Sequence, residues 1–93
     1  MNAIDDLTIQ YQEGDLVTVK ELDKVILSKG AWSTILFRYQ DWMPAKEAYS
    51  EDKYSIRRYK KSGDKYLQQS KFNISSKDQA EKIIEALQGW IKG

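Results

Sequence analysis

Between Lys53 and Ile74 the chain reads KYSIRRYKKSGDKYLQQSKFNI, the stretch best equipped for a chemical task. Seven Lys or Arg residues (Lys53, Arg57, Arg58, Lys60, Lys61, Lys65, Lys71) stand against one acid, Asp64. Tyr54, Tyr59, Tyr66 and Phe72 are interleaved with them. Rings beside cations are what an extended single-stranded nucleic acid needs: flat partners for its bases and counter-charges for its phosphates. The competing reading is a solvated hairpin whose lysines keep a sheet edge from pairing with other chains. Other chemistries have little to work with. The chain lacks cysteine and histidine, which removes disulfides, thiolate nucleophiles, the commonest metal ligands and the usual near-neutral acid-base group. Adjacent carboxylates such as Glu51 and Asp52 have the residue type for general acid-base work, but no phosphate cradle or catalytic partner surrounds them. The expectation is no enzyme, no metal and no cofactor.

A formal net charge of +1 over 93 residues hides a sharp division along the chain. Residues 1–23 carry six acids (Asp5, Asp6, Glu13, Asp15, Glu21, Asp23) and one base, Lys20. Phosphate contacts depend on local charge, so the basic hairpin remains a credible site despite the near-neutral total. At this length one domain is expected, and a single helix over a sheet buries a modest share of its surface, which favours a homodimer. No apolar run approaches the length of a membrane span, and the start of the chain, MNAIDDLTIQYQEGD, has no basic or apolar leader. These features predict a cytoplasmic protein with no membrane partner.

The elements that must position the hairpin follow from period and punctuation. Residues 1–14 are acidic, closed by Gly14 and without sustained apolar period, so they are expected to form a partly ordered or flexible tail, with Ile4, Leu7 and Ile9 available to dock. Residues 15–93 form the domain. LVTVKELDKVILS reads as a strand with a parity change near Leu22, the mark of a bulge. After a turn at Lys29-Gly30 comes a second strand, Ala31–Gln40, with Ile35, Phe37 and Tyr39 on one face and Trp32, Thr34, Leu36 and Arg38 on the other. Asp41–Asp52, holding the only proline, Pro44, reads as a loop. A third strand, Lys53–Lys60, and a fourth, Lys65–Ile74, flank Ser62-Gly63-Asp64. If Ile56, Phe72 and Ile74 face the core, then Arg57, Tyr59, Lys71 and Asn73 share the outward face. The helix that follows is capped by Ser75 with Asp78 or by Ser76 with Gln79. Its apolar residues Ala80, Ile83, Ile84, Leu87, Trp90 and Ile91 make one stripe.

Strand, strand, strand, strand, helix, with particular words in that order, resembles the transcriptional coactivator positive cofactor four family, including its small bacterial members. The words are VILSKGAW, KYSIRRY and SKFNISSKDQAEKIIEAL, within Val17–Leu87. The resemblance implies an α+β fold: a curved four-stranded antiparallel sheet followed by one C-terminal amphipathic helix, paired as a two-fold homodimer whose channels take single-stranded DNA. Carried onto this chain, it nominates Lys29 and Trp32 at the first hairpin, Arg57 and Tyr59 on the third strand, and Ser70 with Lys71 on the fourth. Three departures stand out: Ser70-Lys71 replaces the family's frequent Lys-Gly, the loop Asp41–Asp52 with Pro44 is long and partly acidic, and an acidic N-terminus replaces the Ser-rich and Lys-rich regulatory tail of its eukaryotic members.

The leading expectation is thus a sequence-tolerant single-stranded DNA or RNA binder, coactivator-like in transcription, working in a bacterial cytosol or nucleoid. Its nucleic-acid contacts would be Lys29, Trp32, Arg38, Arg57, Tyr59, Lys60, Lys65 and Lys71. Ile84, Leu87, Trp90 and Ile91 would form the dimer interface. The alternative is a protein-protein adaptor docking through Trp32, Leu36 and Trp42. A further possibility is that the acidic residues Asp5 to Asp15 fold back over the basic hairpin and compete with nucleic acid.

Overall fold

In the computed structural model, which describes residues 4–93, a curved antiparallel sheet is followed by one C-terminal helix. A single 3-10 turn, Ile4–Asp6, precedes the strands β1 (Tyr11–Glu13), β2 (Leu16–Ser28), β3 (Trp32–Met43), β4 (Ala48–Tyr49), β5 (Lys53–Ser62) and β6 (Lys65–Ile74), and then helix α1 (Lys77–Lys92). The sheet order is β1-β2-β3-β5-β6, with β4 paired to the end of β3. Among the described residues there are therefore six strands where four were expected, and the two additions are short. Gly14, with φ of 59°, turns Tyr11–Glu13 back against β2. The expected loop 41–52 is mostly a small hairpin, because β3 runs on to Met43 and pairs with Ala48–Tyr49. The aromatic pair Trp42 and Tyr49, edge to face at 5.2 Å, holds it together, and the Tyr49 hydroxyl donates to the Val17 carbonyl at 2.7 Å.

The long strands follow the alternation of the sequence. The register of β2 against β3 shifts between Glu21 and Asp23, where the parity change near Leu22 foretold a bulge. The β5–β6 hairpin closes through Gly63-Asp64. Its first loop residue needs a positive φ, and Gly63 supplies it at 61°. At the helix start Ser76 is the cap: its Oγ accepts from the Gln79 amide at 3.1 Å, while Gln79 Oε1 accepts from the Ser75 amide at 2.6 Å. That choice resolves the two capping registers in favour of the second.

Sidedness differs from expectation. The best-packed core lies on the face of Ile35, Phe37 and Tyr39, which also receives Tyr59. Ile35 and Phe37 are fully buried. What covers them is not the helix but the N-terminal strap, Ile4–Gln10, whose Ile4 and Ile9 are buried there with Leu7 packed beside them. Only residues 1–3 of the expected tail lie outside the described residues. Helix α1 sits on the opposite face, beside Leu27, Leu36, Ile56 and Ile74, and buries none of its own residues completely. The two faces are named below for their covers, the strap face and the helix face.

Candidate nucleic-acid interface

Alternation along β3 and β5 divides the candidate residues between the two faces. On the helix face Trp32 lies opposite Lys60, and Thr34 opposite Arg58. This register sets two cations over one indole: the Arg58 guanidinium carbon is 4.6 Å from the Trp32 ring centroid and the Lys60 ammonium 5.5 Å. Trp32 stays 42% exposed, so the ring and its cations remain open to a ligand. In the β5–β6 register Lys60 faces Leu67 and Ser62 faces Lys65, which extends the same surface with an exposed apolar side chain and a third cation. An indole carrying a guanidinium plane offers stacking and positive charge at one point, the combination suited to a base beside a phosphate.

The strap face holds a different arrangement. Arg57 donates from Nε to Ser55 Oγ at 3.3 Å and from Nη1 to Gln68 Oε1 at 3.1 Å. The Ser55 hydroxyl in turn donates to Asn73 Oδ1 at 2.8 Å, and Lys71 lies directly across from Arg57. Tyr59, expected to be an exposed stacking ring, is buried within the core cluster. Burial pushes its phenol above the usual value near 10; neighbouring Arg57 opposes that rise and Glu21 adds to it. The shared face of Arg57, Tyr59 and Lys71 was correctly read from parity. Lys71 is exposed as expected, but Tyr59 is not, because its ring packs into the same cluster as Ile4 and Ile9 of the strap.

Arg38 is bound by Asp52 at 3.3 Å, and Gln40 donates to the same carboxylate at 2.8 Å, which spends Asp52 on structure and partly neutralises Arg38. Lys53 pairs with Asp41 at 2.9 Å, and that hydrogen bond raises its pKa. Lys29 is exposed in the β2–β3 turn beside Gly30, whose φ is 145°. Trp42, part of the adaptor patch expected from sequence, packs on Tyr49 instead. Arg58, which lies over the Trp32 ring, was not among the nominated residues, since it shares a face with Ile56; it shares the same face with Lys60, the signal that would have brought it in.

The dimer candidates Ile84, Leu87, Trp90 and Ile91 form an exposed apolar ridge, with Trp90 and Ile91 78% and 79% exposed. The ridge borders an apolar groove of about 600 Å³ between α1 and the sheet, walled by Leu27, Leu36, Ile56, Ile74 and Leu87, with Lys77 and Glu81 at its rim. Among the described residues no cluster of three or more His, Cys, Asp or Glu side chains could hold a metal ion, and no helix is long and apolar enough to cross a membrane. No family model, no curated protein and no solved structure matches the chain.

Proposed function

We propose that the chain is a sequence-tolerant single-stranded nucleic-acid binder, acting through the helix face around Trp32, Arg58, Lys60 and Lys65. The observation that carries this reading is the half-exposed Trp32 ring with a guanidinium at 4.6 Å and an ammonium at 5.5 Å. Stacking reads no donor or acceptor code, so little base preference follows. A coactivator-like role in transcription, in a bacterial cytosol or nucleoid, is what the resemblance to the positive cofactor four family adds. The test is fluorescence anisotropy of a labelled oligothymidine of about 20 nucleotides, titrated at several salt concentrations and against duplex competitor. Binding that weakens with salt and survives duplex supports the reading; no binding at low salt ends it.

The working unit of this reading is a homodimer joined through the α1 ridge and groove. A folded monomer of 10.9 kDa exposes about 5,600 Å², whereas this chain exposes 6902 Å². The excess of about 1,300 Å² exceeds the roughly 800 Å² that one partner contributes to a standard interface. The radius of gyration supports the same conclusion: 15.2 Å against about 12 Å for a compact domain of this length. The exposed apolar ridge of Ile84, Leu87, Trp90 and Ile91 beside an apolar groove favours self-pairing over the adaptor alternative. Sedimentation equilibrium distinguishes a particle of twice 10.9 kDa from a monomer.

A further inference from the structure

The strap is attached to the sheet without a strand ladder. Among the described residues, ladder pairing of the N-terminal region begins at Tyr11 opposite Val19. Before that point two β2 side chains supply polar attachments to the sheet. The Lys24 ammonium donates to the carbonyl oxygens of Asp5 and Leu7, each at 2.5 Å. Glu21 accepts from the Thr8 hydroxyl at 2.7 Å and from the Ile9 amide at 3.1 Å. Two buried isoleucines supply the apolar seat. The entropy of ordering seven residues opposes that gain, and no strand ladder adds to it before Tyr11.

Beneath and beside the strap are groups of the kind the proposed function uses. Phe37, Tyr39 and Tyr59 are rings on one face. Arg57 and Lys71 face each other on the same side of β5 and β6, and Lys24 lies opposite Phe37. The strap occupies this surface much as a strand of nucleic acid would: apolar groups rest on rings, oxygens approach a lysine, and Asp5 and Asp6 bring negative charge.

We infer that the strap is a releasable cover over a second nucleic-acid-binding surface, formed by Tyr39, Tyr59, Arg57, Lys71 and Lys24, and that a bound single strand displaces it. The inference rests on the single-strand reading above. The closed strap reduces the apparent affinity of the covered surface by the fraction of molecules in which it is open; an open fraction of about one-tenth weakens binding about tenfold.

The test uses the full chain with oligothymidine and follows hydrogen exchange at the Leu7 and Ile9 amides. Ligand binding ordinarily slows exchange; displacement of the strap must speed it, several-fold at saturation, while Phe37 in β3 stays protected. A second form, Thr8→Cys/Glu21→Cys joined by a short thiol-reactive bridge, keeps the strap shut in a chain with no other cysteine. That form should lose the acceleration and bind more weakly than the same variant unbridged. Oligothymidine binding that depends on Trp32 but leaves strap exchange unchanged or slowed overturns the cover alone. Absence of binding in both bridged and unbridged forms overturns the cover together with the single-strand reading.

Discussion

Replacing Arg58 by Ala probes the helix-face site most directly, because it removes one cation and one ring contact without touching the buried core. Three cations share that surface with Trp32, namely Arg58, Lys60 and Lys65. For single strands the slope of log K against log salt is about −0.7 per neutralised phosphate. The three contacts on this face contribute a slope near −2.1, so that raising salt fourfold lowers affinity about 18-fold through them. Without Arg58 the slope should relax to about −1.4 and the same change in salt should cost about sevenfold. Trp32→Ala should act differently: it removes stacking worth about 1–3 kcal/mol, or roughly 5- to 150-fold in affinity, while leaving the slope near −2.1. The double variant separates the two effects, and coupling of about 0.5–1 kcal/mol is expected from the guanidinium-indole contact. The assay is oligothymidine anisotropy at four or more salt concentrations, with folding checked by circular dichroism. An unchanged slope in Arg58→Ala, or an intact affinity in Trp32→Ala, would refute the assignment of this face.

Three further outcomes follow from other parts of the molecule. Phe37→Ala empties a fully buried site and should cost about 3–5 kcal/mol, a large part of the roughly 5–15 kcal/mol available to a domain, read as a lower urea midpoint. Leu87→Asp places a charge on the α1 ridge and should leave a folded monomer in sedimentation; a persistent dimer would move the interface elsewhere. Thermal stability should fall as pH rises above about 10, because the phenol of Tyr59 and the ammonium of Lys53 have raised pKa values and hold their protons more tightly folded than unfolded. Their contribution is complete below the unfolded values and is lost on passing through the folded ones. Tyr59 should dominate, since Lys53 is nearly half exposed and solvent screens its pairing; Tyr59→Phe should flatten the decline measured by calorimetry from pH 8 to 11.

The contrast between Tyr59 and Trp32 marks the boundary between what the chain declares and what folding adds. Alternation along KYSIRRY and AWSTILF settled which side chains share a face, because a strand has period two and neighbouring side chains must point oppositely. Local chemistry likewise settled the bulge near Leu22, the turn at Gly63 and a capped helix after Ser76. Alternation is silent on which face the rest of the chain will cover. That depended on Ile4 and Ile9, about 50 residues from Tyr59, in a segment too short and acidic to show a period of its own. By seating them on the Phe37 side, the fold buried the tyrosine that looked available. It left Trp32, Arg58 and Lys60 together on the other face, where only the cross-strand register, not the spacing of residues along either strand, decides that two cations meet one ring.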